Sequence, residues 1–209
     1  MFNYESISSA GVTQEPFEYF TLPDALSADG LDAARSDFPA ISKPGVYDPG
    51  ALEYGPQFAA LIDEISSPRF RAVIEQKFGV DLSDKSLMIS VRGQAQKKDG
   101  RIHTDAKYKL ITGLLYLNDR WNDDGGRLRL LRGPGDMDDY LTEVSPAGGT
   151  LVAFRVRPNS WHGHKPFCGE RRCVMFNWVD SGVARKRHFI VHRISAFAKR
   201  LMPGRAEAY

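Results

Sequence analysis

The sequence predicts a mainly β chain with flanking helices, an antiparallel sandwich or jelly roll, on three observations. Five short apolar runs follow Leu82: Leu87–Val91, Leu110–Leu117, Leu128–Leu131, Leu151–Val156 and Cys173–Val179. Each has strand length and is bounded by turn residues rather than by a helical pattern. Asn122-Asp123-Asp124-Gly125-Gly126 and Ser145-Pro146-Ala147-Gly148-Gly149 are the strongest of those turns.

The elements follow in order. Residues 1–85 read as helical and irregular support for the strands. Ser27, Asp29 or Asp32 caps a short helix running toward Arg35. Residues 41–56 carry Pro44, Gly45, Pro49, Gly50, Gly55 and Pro56 and are irregular. Phe58, Leu61, Ile62 and Ile65 fall on one face at helical spacing. Ser66, Ser67 and Pro68 break that pattern. Ser67 is then an N-cap with proline at the first helical position, and the helix restarts from Phe70 to Phe78. Residues 86–180 hold the strands. From Arg185 to Met202, Ile190, Ile194, Phe197 and Leu201 form one stripe, which predicts a C-terminal amphipathic helix within a basic tail spanning 183–205. All 209 residues are expected to form a single domain.

Composition narrows the class. Hydrophobic residues make up 42% and charged residues 26%, which excludes disorder, collagen and a long coiled coil. No apolar run reaches the roughly 18 residues a transmembrane helix needs. The start, MFNYESISSAG, has no basic region followed by an apolar stretch, so no signal peptide is expected. Two cysteines, Cys168 and Cys173, make no disulfide framework, and a cytoplasmic setting is the simplest. The net charge of +2 is uneven: Val183 to Arg205 holds seven Lys/Arg and no Asp/Glu, and the rest is mildly acidic. A solvated helix face is the simplest use of that tail, so there is no strong nucleic-acid signal. The oligomeric state is not encoded in any feature above.

Histidine is scarce, five in 209 residues, and three of the five lie among the strands. His103 and Asp105 stand at i and i+2. On extended backbone such side chains point the same way and can grip one metal ion. Trp161-His162-Gly163-His164 offers the third ligand, from His162 or from its rival His164. Two imidazoles and a carboxylate on one face leave open positions, the arrangement that suits non-haem Fe(II). Arg172 follows in a strand where Arg172, Val174, Phe176 and Trp178 share a face. An arginine inside a barrel needs an anionic partner, and a carboxylate fits its fork. Arg171 points to the opposite face and takes that role if the register shifts by one.

Five ordered blocks now coincide: His103-Thr104-Asp105; Thr112-Gly113-Leu114-Leu115-Tyr116-Leu117-Asn118 with Trp121; Gly125-Gly126-Arg127-Leu128-Arg129-Leu130; Gly148-Gly149-Thr150-Leu151-Val152-Ala153-Phe154; and Trp161-His162-Gly163 with Pro166, Arg172 and Trp178. In this order they resemble the 2-oxoglutarate/Fe(II)-dependent dioxygenases, in the prolyl 4-hydroxylase-like branch. The resemblance implies a double-stranded β-helix, a cupin-like jelly-roll barrel with helices outside. It implies Fe(II) held by His103, Asp105 and His162, and 2-oxoglutarate as cosubstrate, with ascorbate as a stimulating reductant. Arg172 and Tyr116 would hold the far carboxylate, and Thr112 and Leu128 would line the cosubstrate pocket. It implies oxidative decarboxylation of 2-oxoglutarate to succinate and CO2, coupled to hydroxylation of an unactivated C–H bond. The carboxylate of Asp105 favours hydroxylation over halogenation.

Related enzymes often place an aromatic cosubstrate contact before the His-x-Asp motif. The stretch Ser90 to Lys98 has none, and Gln94 and Gln96 are the available substitutes. Substrate would be read by the loops 41–56, 92–102 and 132–147 and is a small molecule or a peptide. Two other readings use the same barrel. One is a cupin-type metal enzyme without 2-oxoglutarate, such as a sugar epimerase. The other is a non-catalytic binding module.

Overall fold

The structure, a computed structural model, describes residues 1–180 and Gly182. The amphipathic stripe expected from Arg185 to Met202 lies outside the described residues. The elements are α1 (Tyr4–Ser9), β1 (Tyr19–Leu22), α2 (Ala28–Ser36), a 3-10 turn (Pro49–Ala51), α3 (Pro56–Ile65), α4 (Pro68–Phe78), β2 (Ser86–Ala95), β3 (Lys109–Tyr116), β4 (Leu128–Leu131), β5 (Tyr140–Val144), β6 (Leu151–Arg155), β7 (His162–Gly163) and β8 (Gly169–Val179).

Local chemistry sets the helix starts. Of the three candidate caps for α2, Ser27 is the one used, its hydroxyl accepting from the Gly30 amide at 3.1 Å. The Ser67 hydroxyl does the same for the Phe70 amide at 3.1 Å, with Pro68 in the first turn of α4. Each such cap satisfies an amide that the helix start would leave unpaired.

Two sheets form the barrel. The larger has the order β1-β6-β3-β8-β2 and the smaller β5-β4-β7. Every ladder is antiparallel, so this is the double-stranded β-helix that the sequence motifs imply. Three strands were not expected. β1 comes from the N-terminal support and pairs with β6 through Tyr19–Phe154 to Leu22–Leu151. β5 lies inside the stretch read as loop 132–147, and β7 is only two residues long.

The larger sheet separates two apolar layers. On its outer side, Phe58, Leu61 and Ile65 of α3 and Phe70, Ile74 and Phe78 of α4 pack with Ile111, Leu115, Val174, Phe176 and Trp178. The Phe70 ring meets Phe176 edge-on at 5.3 Å and stacks on Trp178 at 6.2 Å. A side chain at Gly113 would collide with the Phe176 ring, its Cβ only 2.0 Å from the nearest atom, so glycine makes that packing possible. On the inner side, Leu114, Tyr116, Val152, Phe154 and Cys173 face Leu128, Leu130 and Val144 of the smaller sheet. Among the described residues, no helix is long and apolar enough to cross a membrane.

Candidate active site

The alternation of side chains across a strand decides what enters the barrel. Tyr116 lies opposite Cys173, Leu114 opposite Met175 and Thr112 opposite Asn177. These residues face inward, so Arg171 faces inward with them. Arg172 therefore does not. Its guanidinium turns outward, 2.9 Å from Glu170 and 5.3 Å from the centre of the Phe38 ring. There it lines an outer cavity of about 440 Å³ with Phe38, Ile41 and Glu170. This corrects the expectation for Arg172: the face it shares with Val174, Phe176 and Trp178 is the helix-covered one.

Arg171 is 4% exposed. Its Nε donates to the Gly126 carbonyl at 2.8 Å and its Nη2 to the Tyr116 hydroxyl oxygen at 3.0 Å. No carboxylate pairs with it among the described residues. Burial pushes the Tyr116 hydroxyl up to about 12, although Arg171 acts against that rise. The hydroxyl thus keeps its proton, accepts from Arg171, and can donate onward. Guanidinium and phenol together present donors for one carboxylate.

The metal-ligand candidates converge as well. His103 and His162 form an antiparallel bridge, with reciprocal amide–carbonyl bonds of 3.0 and 2.9 Å. Their rings lie 4.3 Å apart. One ligand atom each from His103, Asp105 and His162 fall within 4.8 Å of one another. The tautomers follow from the backbone. His103 Nδ1 is 2.8 Å from the Arg101 carbonyl, and His162 Nδ1 is 3.0 Å from the Ser160 carbonyl. A carbonyl only accepts, so both Nδ1 atoms carry the proton and both Nε2 lone pairs are free for a metal. Burial above all, then His103, pushes the His162 imidazole down to about 4, which keeps it neutral.

Asp105 is held by two neighbours. Lys109 Nζ lies 2.7 Å from Oδ1, and the Thr112 hydroxyl 2.5 Å from Oδ2. Burial would raise this carboxyl, but Lys109 and His162 outweigh it and hold it below its ordinary value. Two imidazoles with free Nε2 atoms and one ionised carboxylate therefore make the donor set that suits Fe(II). Thr112, expected to line the cosubstrate pocket, instead braces Asp105 and also meets Asn177 at 2.9 Å. Leu128 is buried in the inner cluster with Tyr116. His164 stays out of the triad. Its Nδ1 bonds the Lys165 carbonyl at 2.8 Å and its ring rests on Gly100.

Lys109, Asn177 and Arg171 were not singled out from the sequence as site residues, although Arg171 stood as the alternative to Arg172. The signal for Arg171 was the mixed character of its face. Arg171, Cys173, Met175 and Asn177 alternate with Arg172, Val174, Phe176 and Trp178, and past Arg172 the second set is wholly apolar and is the one helices cover.

Comparison with known proteins agrees with this geometry. The 2OG-Fe(II) oxygenase superfamily matches residues 91–180. No curated protein sequence matches the chain. Among solved structures, a prolyl-4-hydroxylase from Pseudomonas putida superposes with a TM-score of 0.57 at 20% identity, covering 84% of this chain and 96% of that one. A prolyl 4-hydroxylase from Phytophthora capsici gives 0.56 at 17%, covering 88% and 67%. HygX from Streptomyces hygroscopicus, with nickel and 2-oxoglutarate bound, gives 0.54 at 14%, covering 78% and 82%.

Proposed function

We propose that this chain, whose residues 91–180 match the 2OG-Fe(II) oxygenase superfamily, belongs to that superfamily and couples decarboxylation of 2-oxoglutarate to hydroxylation of a C–H bond in a small-molecule or peptidyl substrate. The observation that carries the reading is Arg171: a buried guanidinium without a carboxylate partner among the described residues, inside the barrel that also holds His103, Asp105 and His162. An unpaired buried charge is costly, and a ligand carboxylate offsets that cost. A cupin enzyme that uses no oxo-acid gives this guanidinium no partner.

Each residue then has a task. His103, Asp105 and His162 hold Fe(II), which supplies the activation of dioxygen when bound. Thr112 and Lys109 fix the Asp105 carboxylate. Arg171 and Tyr116 would anchor the far carboxylate of 2-oxoglutarate. The Phe154 ring lies 4.8 Å from that of His162 and packs in the same cluster as Tyr116. The apolar inner cluster keeps bulk water from the oxo-acid. The carboxylate at Asp105 occupies a position that halogenation would need open, which favours hydroxylation.

The test is anaerobic Fe(II) loading followed by 2-oxoglutarate. A weak visible band is expected, lost in His103→Ala and Asp105→Ala. An unchanged band in His103→Ala would count against the triad. Succinate formation across prolyl peptides, amino acids, saccharides and nucleosides then assigns the substrate. No succinate with any of them, and none without substrate, would overturn the oxygenase reading.

A further inference from the structure

The segment that delivers His103 to the site is itself fastened to the barrel. After β2 ends at Ala95, the chain turns through Gln96–Arg101. The turn is closed by the Asp99 amide on the Gln96 carbonyl at 2.8 Å and by the Gln96 amide on Asp99 Oδ2 at 3.2 Å. The same Oδ2 receives Arg92 Nη2 at 2.9 Å. Arg92 is not a surface residue of β2. It lies opposite Cys173, which lies opposite Tyr116, so the three form one row across β2, β8 and β3 on the inward face. Its positive charge bears on the Tyr116 hydroxyl, the Cys173 thiol and His164.

The other side of the turn rests on His164. The His164 amide donates to the Gly100 carbonyl at 2.8 Å. A Cβ on Gly100 would lie 2.4 Å from three atoms of the imidazole ring, and Gly100 has φ of +78°. Only glycine fits against that ring in that conformation. One residue further, the Arg101 carbonyl accepts from His103 Nδ1 and so orients the ring whose Nε2 is offered to the metal.

We propose that the Arg92–Asp99 pair is a positioning device. It holds the Gln96–Arg101 turn against the inner wall, and thereby sets the Arg101 carbonyl and the aim of His103. The proposal rests on His103 being a metal ligand, not on the identity of the cosubstrate. It also gives Arg92 a role in the stretch where an aromatic contact was expected and none is present.

The test uses the full chain with Co(II) as a spectroscopic probe, without 2-oxoglutarate, together with limited trypsin cleavage at the exposed Lys97, Lys98 and Arg101. Arg92→Met and Asp99→Asn should each weaken Co(II) binding about tenfold, the scale for losing a partner that orients a metal ligand. Both should speed cleavage within the turn, and Arg92→Lys should restore part of the affinity. Melting temperatures should stay near that of the parent. Wild-type Co(II) affinity and cleavage in Asp99→Asn would overturn the proposal. So would losses that appear only alongside a lowered melting temperature and cleavage throughout the chain. If Arg92→Met does not fold, the isosteric Asp99→Asn decides alone. The parent's response to 2-oxoglutarate, read in a separate titration, distinguishes the two readings. Absence of that response in the parent would sink the oxygenase reading and leave the Co(II) result valid.

Discussion

The two faces of the larger sheet are made of the same strands and differ in kind. Its outer face is Val174, Phe176 and Trp178 beside Ile111 and Leu115, closed over by α3 and α4. Its inner face carries Arg92, Arg171, Cys173, Asn177, Thr112 and Tyr116. One face serves cohesion and the other chemistry, and a one-residue change of register would exchange them. What the contrast teaches is that the helix-covered face admits charge only at its edge, where Arg172 pairs with Glu170, whereas the inner face keeps buried polar groups that are mutually satisfied or await a ligand.

Substitutions on each face separate the two roles. The largest effect belongs to the outer face: Phe176→Ala should destabilise the fold by about 3–5 kcal/mol, measured by denaturant unfolding, with the 2-oxoglutarate response of the folded fraction intact. Next, Arg171→Met should raise the 2-oxoglutarate concentration needed for half-saturation about hundredfold, as expected for a truncated buried charge contact. Titration of the visible band checks it.

A pH response follows. Burial first, then Arg171, pushes His164 down to about 4 from 6.5. The unfolded chain therefore takes up a proton that the folded one refuses, and stability falls as pH drops from 6.5 toward 4, by up to about 1.4 kcal/mol per pH unit. Unfolding of the metal-free protein across that window should show the slope, to which the buried His162 adds a like share, and His164→Gln should remove about half of it. Thr112→Val should weaken Fe(II) binding about tenfold by freeing Asp105, read by metal titration. Smallest of all, Arg172→Met should shift half-saturation by less than about twofold, because its exposed pair with Glu170 contributes little. A large effect there would restore Arg172 to the pocket and invert the assignment of faces.

The metal-ligand candidates were legible because His103 and Asp105 form a local i, i+2 pair and the five ordered blocks favour His162 over His164. The arginine was not, because its face depends on which side the helices cover. That fact is stored in Phe58, Leu61, Phe70 and Ile74, far away in the chain. β1 and β5 escaped for a related reason. Tyr19-Phe20-Thr21-Leu22 and Tyr140-Leu141-Thr142-Glu143-Val144 are short and partly polar, and gain strand character only from the neighbours they pair with.

The bond from Arg171 to the Gly126 carbonyl has a mechanical consequence. Gly126 precedes β4, so this one guanidinium spans from the larger sheet to the smaller. An ammonium in its place would keep the charge but could not as readily staple both walls while still greeting a guest anion, because it lacks the planar fork.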